Sequence, residues 1–264
     1  MRFSCRTLSP FLVEEGLLSD GSKFSYVDIG KLDGSAIAYL DGVIAKIYGG
    51  PCEADGPERV KKRIRRWFVS KTGDKDLIHG AIAELFCHLF LNWRGYRQNF
   101  LYDNLEENSI KKGFDGLYSI GDDIWLMESK SGEKTKTNDL SHPVKVQAAY
   151  RDICSKLKDF DGNDPWQNAA YHAFLARADE TIAKKIKALS NDFLDEKSPD
   201  IAEMNLVPCG TIFCSCDCGF DVHGIKDRLD RYFQDRDYGQ LHIVCVTNRA
   251  LDAYMSYLGV DTGE

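Results

Sequence analysis

The residues best placed to do chemistry lie in 113–132, GFDGLYSIGDDIWLMESKSG, where Asp115, Glu128 and Lys130 interrupt two apolar, strand-like runs. Charges in such runs are costly to bury, so they either face solvent or serve a site. Gly121-Asp122 has the composition of a two-residue hairpin loop. Counting outward from that turn, Ile120 faces Asp123 and Asp115 lands opposite Glu128. Residues opposite each other share a face, as do residues two apart. Asp115, Glu128 and Lys130 are therefore expected on one face with Leu117, Ile124 and Leu126, and Phe114, Tyr118, Trp125 and Met127 on the other. Opposed carboxylates repel, and a divalent cation removes that penalty. Mg²⁺, with Mn²⁺ as an alternative, accepts one or two carboxylates and completes its shell with waters and phosphate oxygens. Lys130 can then orient a water and stabilise charge developing on a phosphate. The set suffices for metal-assisted phosphodiester hydrolysis. Its plain rival is a surface hairpin bearing a Glu–Lys–Asp salt-bridge cluster, which the apolar surroundings disfavour.

Such a hairpin needs elements to hold it. The periodicity of Ile78, Ile82, Leu85, Phe86, Leu89 and Phe90 predicts a helix over 74–93. It carries Glu84, a candidate third metal carboxylate, after Gly80 and Ala81, small residues that would let the helix approach a sheet closely. His79 and His88 on the same helix read as partly buried, satisfied histidines. Upstream, helices are expected over 35–48 and 58–69, separated by the break GGPCEADGPE. Downstream come a strand over 96–101, the hairpin, a polar loop GEKTKTNDLSH, and a helix from Pro143 to about Phe160. A further helix starts at Asp164-Pro165 and reaches about Leu189. Strands in NLVPCGTIFCSC and LHIVCVT and helices at 223–233 and 249–258 complete the order. Alternation of this kind predicts an α/β fold, a mixed sheet flanked by helices.

Composition sets the outer bounds. The 264 residues are 43% hydrophobic and 28% charged, with a net charge of −7, which argues against a uniformly basic surface but not against a local basic cleft. No apolar run is long enough for a bilayer span, and no secretory leader is apparent. Nine cysteines, an odd and scattered number, suit a reducing cytoplasm.

The order helix with Glu84, strand with GFDG, strand with ESK and then a helix resembles the PD-(D/E)XK nuclease superfamily over about residues 74–160. More narrowly, HGAIAELFCHLFL, GFDGLY and IWLMESKSG resemble HamA, the effector nuclease family of Hachiman anti-phage systems. The resemblance implies a restriction-endonuclease-like core at 74–264 with a C-terminal extension, behind an N-terminal α+β region at 1–73. It implies that Asp115 and Glu128 hold the metal, that the Ser129 carbonyl is a further ligand, and that Lys130 acts on the attacking water. It also implies DNA as substrate and a helicase partner of the HamB type. Two departures stand out: Phe114 replaces the proline usual before the first aspartate, and VQAAY spaces Gln147 and Tyr150 one residue closer than the Gln-x-x-x-Tyr motif of some members.

Two further features remain. PERVKKRIRRWFVSK sets Arg59, Lys62, Arg63 and Arg66 on one helical stripe, a candidate phosphate track, and Lys134 and Lys136 follow the active-site strand. A solvated helix face explains the stripe about as well. Cys209, Cys214, Cys216, Cys218 and His223 lack the paired spacing of a zinc site and read better as buried small hydrophobes. The leading expectation is a Mg²⁺-dependent deoxyribonuclease. A non-catalytic adaptor binding DNA or a helicase is the alternative, and a nuclease acting on RNA a third.

Overall fold

The structure is a computed structural model and describes residues 10–71, 73–103, 113–135, 137–138, 140–160, 164–214 and 219–260. The candidate residues lie on the hairpin. Gly121 takes a φ of +56°, a value glycine adopts without strain, and supplies the positive φ that a tight two-residue turn requires at its first position. Strand β4 (Gly116–Ile120) pairs antiparallel with β5 (Asp123–Lys134), Ile120 opposite Asp123 and Gly116 opposite Met127. This is the predicted register. Asp115 stands one residue past the last pair, level with Glu128.

β5 runs further than expected. Gly132, Glu133 and Lys134, assigned to a loop from sequence, continue a parallel ladder with β6 (Asn205–Cys214). With β1 (Leu12–Leu17), β2 (Lys23–Ile29), β3 (Arg97–Gln98) and β7 (His242–Asn248), they form a seven-stranded mixed sheet in the order β1-β2-β7-β6-β5-β4-β3. The four strands β2, β7, β6 and β5 are mutually parallel, and the two edges are antiparallel. The first two strands fall in the region expected to be α+β but are not placed from sequence. β2 is buried on both faces from Phe24 to Val27, so it lacks the alternation that marks a half-buried strand. The strand expected over 96–101 shrinks to two residues, because the Leu101 N–H donates to His172 Nδ1 rather than to a neighbouring strand.

Helices cover both faces. α1 (Gly34–Gly49), α2 (Pro57–Ser70), α3 (Lys75–Trp93) and α8 (Leu251–Leu258) bury their apolar stripes against one face, with Tyr118, Trp125 and Met127 of the hairpin. α4 (His142–Lys156), α5 (Pro165–Leu175), α6 (Glu180–Leu194) and α7 (Val222–Phe233) cover the other, with Leu117, Ile124 and Leu126. Phe114 also packs on this second side, edge-on to Trp166, against the expectation, because it precedes the strand and escapes its alternation. The single helix expected from 165 to 189 is two. Arg177 adopts φ +51° and Ala178 N–H returns to the Ala173 carbonyl, a left-handed helix stop that Arg97 fastens through the Arg177 carbonyl and Asp179. No helix among the described residues is long and apolar enough to cross a membrane.

Gly210 of β6 sets how near α4 comes to the sheet. A Cβ at this position would meet Val146 Cγ2 at 2.9 Å and the His142 carbonyl at 3.0 Å. Only glycine lets α4 lie this close, and α4 delivers side chains to Glu128 of β5.

Candidate active site

The hairpin brings Asp115, Glu128 and Lys130 together. Asp115 Oδ2 accepts the Ser129 N–H at 2.9 Å, so its carboxylate closes the open end of the β4–β5 ladder. Glu128 is 1% exposed, and Lys130 Nζ lies 2.9 Å from its Oε1. The Glu128–Lys130 pair of the salt-bridge cluster weighed from sequence is thus present, with its carboxylate buried rather than solvated, while Asp115 bonds the Ser129 N–H.

Two members of the cluster were not foreseen. Lys156, the last residue of α4, places Nζ 2.7 Å from Glu128 Oε2. Asp152, one turn earlier, accepts from Lys130 Nζ at 2.5 Å and lies 3.4 Å from Lys156 Nζ. Glu128 therefore sits between two ammonium groups, one from its own strand and one from the helix. A signal for them existed: residues 149, 152, 153 and 156 follow one helical stripe, and Ala149 and Ile153 are fully buried. A charged pair four apart on the flank of an apolar stripe points at whatever the helix packs on.

The electrostatics follow from burial. Desolvation, with the Asp115 charge next to it, pushes the Glu128 carboxyl well above the usual range, while Lys156 and Lys130 pull the other way. Burial would lower Lys130 and Lys156, but Glu128, Asp115 and Asp152 together outweigh it and hold both ammoniums above the ordinary lysine value. Asp152 is pulled down despite its burial, by its hydrogen bonds to Glu128 and Lys130. Three carboxylates thus face two lysines at one end of the hairpin, and Glu128 and Asp152 are shifted in opposite directions.

Glu84, on α3, belongs to the other side of the sheet. Its Oε1 is 3.7 Å from Nε2 of His88, and the His88 Nδ1 bonds the Tyr118 hydroxyl. Burial lowers His88 to about 4 against the pull of Asp115, so the ring is neutral at pH 7. The close approach expected at Gly80 is not used, since a Cβ there would meet nothing within 4 Å. It occurs instead at Gly116, where a Cβ would come within 3.3 Å of His88 Cε1. The Ser129 hydroxyl also points to this side, 3.7 Å from Cys87 Sγ. His79 is buried and stacks on Phe213.

The remaining candidates are dispersed. Arg59 pairs with Asp55, and Arg63 with Glu53 and Asp55, all from the loop before α2. Lys62 and Arg66 are both exposed and enter no ion pair among the described residues. Lys134 lies 5.5 Å over the Phe220 ring, and Lys136 is outside the described residues. Tyr150 turns its hydroxyl to the Asp237 carbonyl, so the Gln147–Tyr150 motif does not reach the cluster through it. Cys209 and Cys214 are buried, His223 is exposed beside Asp227, and Cys216 and Cys218 fall outside the described residues.

Among the described residues no group of three or more His, Cys, Asp or Glu side chains is gathered so as to hold an ion, and Glu84 does not join Asp115 and Glu128 in one. The opposed pair is what the hairpin offers. Oxygen donors of this type fit Mg²⁺, for which one or two carboxylates suffice when phosphate and water supply the rest. Both oxygens of Glu128, however, already carry a lysine. Residues 37–246 match the family model described as HamA. No curated protein and no solved structure matches the chain.

Proposed function

We propose that this chain, which belongs to the HamA family, is a Mg²⁺-dependent deoxyribonuclease with a restriction-endonuclease-like core. In this reading it is the effector of a bacterial Hachiman anti-phage defence system and works with a helicase partner. The observation that carries the proposal is the placement of Glu128, 1% exposed, level with Asp115 and 2.9 Å from Lys130. An acidic pair beside a lysine, at the end of a hairpin whose two faces are covered, is a poor arrangement for stability alone, since buried ion pairs gain little over apolar packing.

Asp115 and Glu128 would hold the ion, with the Ser129 carbonyl as a candidate third donor. When bound, the ion supplies Lewis acidity and an acidified water. The protein's own groups do the rest. Asp115 is fixed by the Ser129 N–H, so it presents its carboxylate without reorganisation. Lys130, raised above the ordinary lysine range by Glu128, stays charged; it orients the attacking water through its N–H groups and offers positive charge to the phosphate as it gains negative charge. Asp152 anchors that ammonium from the far side. Glu84 stands one residue removed, acting through His88 on the Tyr118–Asp115 segment.

A second reading is the non-catalytic adaptor, and it too has an observation: the cluster satisfies itself, each Glu128 oxygen being matched by one lysine. Incubation of purified protein with supercoiled and linear plasmid, in Mg²⁺ or EDTA and with or without the co-encoded helicase, separates the two. Metal-dependent nicking that disappears in Glu128→Gln supports the nuclease. Intact DNA in every arm, helicase included, supports the adaptor. A parallel RNA substrate tests the choice of sugar.

A further inference from the structure

The reading of Asp115 and Glu128 as metal ligands leaves Lys156 unexplained, and the geometry around it gives this residue a role. We propose that Lys156 is a tethered counter-cation of the metal site: its ammonium competes with the divalent ion for Glu128, and ion binding requires it to move away. The inference rests on that metal reading and concerns how the same site is controlled.

Three observations support it. First, Lys156 contacts Glu128 Oε2, the oxygen that Lys130 does not use, so the two lysines together cover the carboxylate that an ion would need. Second, positive charge already crowds the carboxylate. Lys130 and Lys156 stand 2.9 and 2.7 Å from Glu128, and a divalent cation on the same side chain would face two ammoniums, which repel it strongly where the dielectric is low. One lysine must therefore yield. Third, Lys156 has somewhere to go. It is the final residue of α4, next to the Leu157 cap, and Asp152 stands 3.4 Å from its Nζ with a side chain 32% exposed. Lys130 is held differently, with Asp152 at 2.5 Å and a position on β5, a strand paired on its two sides by β4 and β6. Release of Lys156 onto Asp152 or into solvent frees Glu128 and keeps Lys130 beside it. The device makes occupancy of the site depend on the free divalent concentration and on anything that pulls Lys156 outward, a phosphate of bound nucleic acid above all.

Mn²⁺ binding to the full-length, chelator-treated protein tests this without reference to cleavage, by titration calorimetry and by the Mn²⁺-induced rise in Tm. Two variants predict opposite results. Lys156→Met removes the competitor and is expected to tighten Mn²⁺ binding by about tenfold, the order of effect of one buried opposing charge. Lys156→Arg keeps the charge and can grip Glu128 and Asp152 with its fork, so Mn²⁺ binding weakens several-fold. If Lys156→Met does not fold, as judged by circular dichroism, the arginine variant decides alone, and affinity equal to or above wild type overturns the proposal. Wild-type binding that Lys156→Met leaves unchanged or weakens overturns the proposal but leaves the metal reading intact. Lack of Mn²⁺ binding at millimolar concentration by wild type and both variants overturns the two together.

Discussion

Two parts of this molecule are rich in lysine, arginine and carboxylate, and they are built on opposite principles. On α2, Arg59 is 79% exposed in its side chain and pairs from solvent with Asp55, itself 14% exposed. At the β5–α4 contact, Glu128 is 1% exposed and pairs with two lysines that reach it from the partly exposed rim of the site. The first arrangement is nearly free to form and nearly free to lose. The second requires that charges be stripped of water, and it persists only because every partner is in place. Density of charge does not mark a site; charge held where water is excluded does.

The sharpest way to break that contrast is to remove the centre of the buried cluster. Glu128→Gln keeps the volume but leaves two ammoniums with only Asp152 between them. Cleavage should fall by at least about a thousandfold, and stability by roughly 3 kcal/mol, the scale seen when one member of a buried pair is lost. Plasmid nicking and urea denaturation measure the two. A variant that lost cleavage without losing stability would mean that the lysines rearrange around the gap, as the Lys156 release requires of one of them.

Lys130→Ala is the next test, and it separates chemistry from architecture. Its side chain is 36% exposed, so its loss is felt less by the fold, with Glu128 still paired to Lys156. Cleavage should nonetheless drop about a hundredfold to a thousandfold, the effect of removing one electrostatic donor from a phosphoryl site. Cutting by Lys130→Ala at the wild-type rate would leave Lys156 as the working lysine of the pair.

The hairpin register, Asp115 beside Glu128, and the α/β class were legible because they rest on local signals: a Gly-Asp turn, period-two apolar runs, and helical stripes. What escaped depends on tertiary contact. Asp152 and Lys156 look like an ordinary solvated pair until α4 is known to lie against β5, and that approach depends on Gly210, a residue in a different strand. β2 escaped because a strand buried on both faces carries no alternation. The break at Arg177 escaped because neither glycine nor proline marks it, and the left-handed turn is held by Arg97 from eighty residues away.

Burial elsewhere in the molecule gives an acid effect. His142 and His172 are held at about 4 and His242 at about 3, in each case by burial. On unfolding they return to an ordinary value near 6.5. Between those values the unfolded chain binds more protons than the folded one, so their contribution is complete above about pH 6.5 and drains away as pH falls toward 4. Each contributes a slope of up to about 1.4 kcal/mol per pH unit. Urea midpoints measured from pH 7.5 to 4.5 should fall along that course. A flat profile would mean that these rings are charged in the folded state, which their settings do not support: His242 between the Ser25 and Tyr96 hydroxyls, His172 stacked on Phe100.

The smallest effects belong to α2, and they divide its stripe in two. Arg59 and Arg63 already have carboxylate partners in the loop before the helix, whereas Lys62 and Arg66 have none among the described residues. If the helix tracks a phosphate backbone, Lys62→Ala and Arg66→Ala should each weaken DNA binding a few-fold and reduce the salt dependence by about one counterion. Arg59→Ala and Arg63→Ala should do less, because Asp55 and Glu53 compete with phosphate for them. Binding to a fluorescent duplex across a salt series reads this directly. Equal effects from all four would mean that DNA displaces the loop carboxylates. No effect from any would assign the stripe to solvent, and the route to the buried cluster would have to run past Lys134 at the end of β5 instead.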